Sequence, residues 1–139
     1  MFLLDTDTLT WAHAGHEGIA ARIRQVGEEN VATTIITEVE ILRGRHEFLL
    51  KASDGEQVVR AQQFLDGSKE LLATLPIIPL DDAAAGEFDK LRQNRKLKKI
   101  GRPDLLIAAI ALAQRATLVT RNVKHFRQVP GLLVENWMD

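Results

Sequence analysis

Between Gly101 and Gln114 the sequence reads Gly-Arg-Pro-Asp-Leu-Leu-Ile-Ala-Ala-Ile-Ala-Leu-Ala-Gln, nine consecutive apolar residues headed by a single carboxylate. A helix with no polar face has to be enclosed on every side. The rest of the chain must therefore supply layers that cover it. Asp104 stands at the mouth of this core element, where an ionised carboxylate costs on the order of several kcal/mol unless a cation or a set of donors meets it. Asp also suits the first turn of its own helix, through capping and the helix dipole. What decides between the two roles is whether other acids arrive at the same place.

The remaining elements follow from short apolar runs alternating with helical patterns. Phe2-Leu3-Leu4 reads as a buried strand that stops at the polar turn Asp5-Thr6-Asp7-Thr8, with Asp7 or Thr8 capping the next helix. A helical pattern over 16–30 closes near Gly27, and Val31 to Ile36, rich in β-branched residues, forms a second strand. Thr37 opens a helix reaching Gly44 and on toward Leu50, with Ala52-Ser53-Asp54-Gly55 as an exposed turn. Amphipathic segments over 57–75 and 83–97 flank a third strand, Pro76-Ile77-Ile78-Pro79-Leu80. After the buried helix come strands at Leu118-Val119-Thr120 and Leu132-Leu133-Val134. Apolar strands separated by helices indicate a parallel sheet covered on both faces. The predicted class is α/β, three layers in α/β/α order around four to five parallel strands, with residues 1–139 as a single domain.

Several functions are excluded by what the chain lacks. With no cysteine there is no disulfide, thiolate zinc site or thiol nucleophile, in keeping with a cytoplasmic setting. The longest apolar run falls short of the ~20 residues of a membrane span. No glycine-rich nucleotide loop or G-x-S-x-G element occurs. The four histidines show no zinc spacing, and surface or core roles are assigned to them.

In an open parallel sheet, ligands bind beyond the carboxyl ends of the strands, where strand order reverses. Asp5 lies at the end of the first strand, Glu40 about one turn into the helix after the second, and Asn122 directly after the fourth. The helix that Asp104 opens feeds that fourth strand, so it too starts on the carboxyl side. Each residue has a local alternative: Thr37-Glu38-Val39-Glu40 reads as a capping box, Asp5 can bond its own turn, and Asn122 can cap the segment toward Phe126. Gathered together, three carboxylates repel unless a cation lies among them. Oxygen ligands without thiolates point to a hard divalent ion, Mg2+ or Mn2+. Arg92, Arg95, Lys96, Lys98, Lys99 and Arg102 crowd the segment before Asp104, with Arg43 and Arg45 near Glu40; such a strip suits the phosphates of a polyanion. Aromatic residues for stacking bases are sparse, which favours recognition of backbone and shape.

Leu3-Leu4-Asp5-Thr6, Ile36-Thr37-x-x-Glu40-x-x-x-Gly44, Asp104-Leu105-Leu106-Ile107-Ala108-Ala109, Val119-Thr120-Arg121-Asn122, and Val129-Pro130-Gly131-Leu132 through Glu135-Asn136-Trp137, in this order, resemble the PIN-domain ribonucleases, above all the VapC toxins of bacterial toxin-antitoxin pairs. The likeness is weakest between Leu49 and Leu75. It implies an endoribonuclease that uses Mg2+, acts on tRNA or rRNA as a homodimer, is inhibited by a small VapB-like antitoxin, and meets DNA only through that antitoxin. Asp5, Glu40 and Asp104 match the family's three main acids, with Asp5 and Asp104 as metal ligands and Asn122 completing the catalytic set. Arg95, Lys96, Lys98, Lys99 and Arg102 are the expected RNA contacts. Two positions depart from the pattern: Asp7 stands where the family commonly has Asn, and Asn122 where it often has Asp. An amide orients water or ligates but brings no charge, which bears on a second metal position. The rival reading is a PIN module with little or no catalysis, acting in a DNA-bound complex with an antitoxin-like repressor; a flap-type DNA nuclease would share the carboxylates.

Overall fold

The computed structural model describes residues 1–139. Twelve principal elements alternate along the chain: β1 (Phe2–Leu4), α1 (Thr6–His13), α2 (Glu17–Val26), β2 (Val31–Thr34), α3 (Ile35–Leu50), α4 (Gly55–Leu72), β3 (Ile77–Ile78), α5 (Asp82–Gln93), α6 (Arg102–Gln114), β4 (Thr117–Val119), α7 (Val123–Phe126) and β5 (Leu133–Glu135). The five strands form one sheet in the order β3-β2-β1-β4-β5, with every pairing parallel. Strand order thus reverses between β1 and β4, at the centre of the sheet.

Neighbouring residues on each strand serve opposite faces, and both faces are apolar. Leu3, Ala32 and Leu118 join one core with Ala84, Leu91, Ile107, Ile110 and Phe126, so α5, α6 and α7 cover that side. Leu4, Val31 and Val119 join the other with Leu9, Ile19, Leu72 and Trp137, contributed by α1, α2, α4 and the C-terminal segment. This is the three-layer arrangement predicted from the sequence. The helix α6 is enclosed as its composition requires, with Ile107 through Ala111 almost free of solvent. No helix is long and apolar enough to cross a membrane.

Several boundaries shift for identifiable reasons. Asp5, rather than Asp7 or Thr8, caps α1: its side chain accepts from the Thr8 amide. The second strand ends at Thr34, whose hydroxyl accepts from the Thr37 amide and starts α3 one turn sooner than Thr37 would. Ile35 and Ile36 enter the helix despite their β-branching, because packing against the α6 side of the core outweighs a small propensity cost. Helix α5 stops at Gln93, and Arg95–Leu97 form a separate 3-10 turn. β3 holds only two residues, between Pro76 and Pro79, and lies at the edge of the sheet. Gly27 closes α2 at φ 93°, a backbone conformation that favours glycine.

Candidate active site

A cavity of about 420 Å³ opens over the point where strand order reverses, lined by Asp5, Thr6, Asp7, Glu40, Asp104, Ile107, Thr120, Arg121, Asn122 and Phe126. All four residues expected to form the catalytic set are on its wall. They reach it from four places: the end of β1, the second turn of α3, the first turn of α6 and the loop after β4.

Hydroxyl groups tie these strand ends together. Thr33 donates to the Leu4 carbonyl at 2.7 Å, and Thr8 donates to the Val119 carbonyl at 3.2 Å. The Asp5 amide donates to the Val119 carbonyl at 3.0 Å, which fixes the acid's backbone between β1 and β4. Asp5 Oδ1 accepts from the Thr8 amide at 2.9 Å. Its carboxyl pKa is raised, chiefly because burial penalises the charged form; hydrogen bonds from Thr120 and Thr8 oppose this, and the charge of Asp7 adds to it. A desolvated carboxylate held this way is a group that gains from a nearby cation.

Glu40 makes no capping box, because Thr34 has taken the role of cap. Instead Thr6 donates to Glu40 Oε1 at 2.6 Å, with the Thr37 hydroxyl 3.2 Å from the Thr6 oxygen. That contact joins α1 to α3 across the cavity. Asp104 is not the cap of α6 either: Gly101 holds that position, without a side-chain bond. Asn122 stands at the start of α7, its side chain capping nothing, while its amide donates to Thr120 Oγ1 at 3.0 Å. A side-chain cap therefore forms for Asp5 alone, through one of its two oxygens, while Asp104 keeps the first-turn position that the dipole of α6 favours.

His125 was assigned no functional role from the sequence. Its Nε2 lies 3.1 Å from Asp104 Oδ2, and its ring meets Phe126 edge to face at 5.2 Å. Facing a carboxylate, this nitrogen carries the proton. The signal in the sequence was its place three residues beyond Asn122, on the same short helix; spacing from Asp104 gave no warning, since 21 residues separate the pair. The basic strip lies outside the cavity. Arg95, Lys96, Lys98, Lys99 and Arg102 are all exposed, but none lines the acidic cavity. The cation that does is Arg121.

Whether these residues suit a hard divalent ion is a matter of donor chemistry. Carboxylate, hydroxyl and amide oxygens dominate the wall. No trio of acidic or imidazole side chains is close enough to enclose an ion alone. Mg2+ requires no such cage, because it dehydrates reluctantly and is commonly held through one or two carboxylates with its waters retained. The site fits that mode.

Acids at the carboxyl ends of a parallel sheet serve many families; here residues 2–132 match the PIN domain, and the chain belongs to that family. Within it, the chain is similar to Ribonuclease VapC2 of Rickettsia felis, 43% identical over 68 residues, which is 48% of this chain and 51% of that protein. The aligned stretch thus spans about half of that relative. Ribonuclease VapC1 of Haemophilus influenzae is 29% identical over 143 residues, covering 99% of this chain and 98% of its own. Among solved structures, a chain of the VapBC2 complex of Rickettsia felis bound to a promoter DNA fragment superposes with a TM-score of 0.77 at 28% identity, covering 98% of both chains.

Proposed function

We propose that this protein is the endoribonuclease toxin of a VapBC-type pair, hydrolysing a phosphodiester bond of RNA with the help of Mg2+ or Mn2+. The observation that carries the reading is the presence of Asp5, Glu40, Asp104 and Asn122 on one cavity wall. The VapC names of its relatives support the activity, and the VapBC complex of its structural neighbour supports a VapB-like antitoxin as partner. A homodimer, and tRNA or rRNA as substrate, remain what the family resemblance implies.

Asp5 and Asp104 hold the cation, which when bound makes water easier to deprotonate and offsets negative charge developing on the phosphate. Glu40, with Oε1 fixed by Thr6, orients the attacking water through its other oxygen. Asn122 positions ligands without adding charge. Arg95, Lys96, Lys98, Lys99 and Arg102 contact flanking phosphates outside the cavity, and His125 holds the Asp104 carboxylate in place.

The direct test is cleavage of a single-stranded RNA by purified protein, with Mg2+ or Mn2+ added and then chelated. Cleavage is expected to require the ion, and an undiminished rate in excess EDTA rejects the assignment. His125→Ala is expected to weaken Mn2+ binding by about 10- to 100-fold, the usual cost of removing a group that holds a ligand, with His125→Gln recovering part of it. Calorimetric titration with Mn2+ measures both.

A further inference from the structure

Beside the acidic cavity lies a second one of about 250 Å³, lined by Trp11, His16, Arg121, Met138 and Asp139. Arg121 belongs to both walls. Trp11 is 45% exposed, whereas the chain's other tryptophan, Trp137, is buried at 3%. The position of the exposed ring follows from the helix that carries it. Trp11 is one turn beyond Asp7 on α1, so a single helix offers an acid to the first cavity and an indole to the second.

The ring is held in place. His16 meets Trp11 edge-on, centroids 6.4 Å apart and planes at 78°. His16 is itself fixed: its Nδ1 accepts from the Ile19 amide at 3.2 Å, and its backbone amide donates to the Trp11 carbonyl at 3.1 Å. Arg121 takes part in none of the molecule's ion pairs, so its guanidinium is free to meet an anion. The one acid on this wall, Asp139, accepts from Asn136 Nδ2 at 2.9 Å.

We infer that this second cavity is a base-binding subsite: one unstacked nucleobase of single-stranded RNA lies on Trp11, while Arg121 grips the phosphate that leads into the acidic cavity. The inference rests on the ribonuclease reading and adds to it. Every base has a π face, so an indole accepts any of them, and a planar guanidinium matches two phosphate oxygens. Two adjoining cavities that share one cation have the layout a nucleotide's base and phosphate require. The scarcity of aromatic residues in the sequence concealed this, because one ring suffices when it is next to the chemistry.

The test titrates a short mixed-sequence oligoribonucleotide into the Asp5→Asn variant, which keeps the RNA intact, and follows tryptophan fluorescence with anisotropy of the labelled RNA in parallel. Trp137 is buried but adjoins the cavity through Met138, so the part of the quenching that Trp11→Ala removes is what reports Trp11. Saturable quenching is expected, with binding weakened on the order of tenfold by Trp11→Ala and largely restored by Trp11→Phe. Arg121→Gln is expected to reduce the slope of log affinity against log salt by about 0.7, the single-strand value for one phosphate contact. RNA that binds without quenching, or binds Trp11→Ala as tightly as its parent, overturns the subsite while leaving the ribonuclease reading intact. Failure of both binding and wild-type cleavage removes the two together.

Discussion

Replacing Asp5 by Asn is expected to lower RNA cleavage about a thousandfold, the scale of several kcal/mol of lost charge stabilisation, and to raise the melting temperature of the protein without divalent cation. The two effects share one cause. Burial makes the Asp5 carboxylate costly to ionise, with Asp7 adding repulsion, so the folded chain holds the proton more tightly than the unfolded chain does. The stability this proton contributes is complete below the ordinary carboxylate range and is lost as pH rises through the raised value. At neutral pH the charged group therefore weakens the fold. Asn removes the charge and keeps an oxygen for the Thr8 amide, so the cap of α1 survives. Melting curves from pH 4 to 8 should show variant and wild type furthest apart at neutral pH and converging toward acid. Added Mn2+ should raise the wild-type melting temperature and leave the variant's unchanged. A variant less stable than wild type at pH 7 without the ion makes Asp5 a structural residue and defeats the explanation.

Ile110→Ala is expected to act in the opposite way, on the fold rather than on chemistry. Ile110 is wholly buried in the middle of α6, inside the core shared with Leu3, Leu118 and Phe126. Truncation there costs about 2–5 kcal/mol, through lost transfer energy and a cavity that the surrounding helices cannot close. In a domain of this size that corresponds to a fall of roughly 10 °C or more in melting temperature. Because Asp104 lies almost two turns earlier on the same helix, and is held by His125, cleavage measured well below the transition should remain within a few-fold of wild type. Thermal denaturation and a cleavage assay at low temperature separate the two effects. A melting temperature within two or three degrees of wild type would show that the surroundings of α6 repack freely and that its enclosure does not set the stability of the fold.

The layers were legible because both faces of the sheet are apolar: Leu3-Leu4 and Leu118-Val119 leave no solvent face, and only helices on both sides can cover such strands. The acids were legible because parallel topology brings strand ends together whatever their separation in sequence. Other features depended on tertiary contacts that no local pattern carries. Thr37 and Thr34 are both good caps, and the choice between them rests on packing of Ile35 and Ile36. Glu40 looked like half of a capping box until Thr6, from another helix, proved to be its partner. His125 meets Asp104 only because α7 folds back over the start of α6, and Trp11 lies beside Arg121 only because α1 begins where β4 ends its course. Charge runs are weak guides to position: the lysines and arginines before Asp104 are close to it in sequence, yet Arg121 is the cation on the cavity wall.

The rims of the sheet bear on how the molecule behaves in a crowd. An extended peptide from another copy, arriving at the outer side of β3, finds just Ile77 and Ile78, with a proline ring at either end that offers no amide proton. Strand addition stops almost as soon as it starts. Copies of this chain can therefore accumulate without that rim templating fibrils.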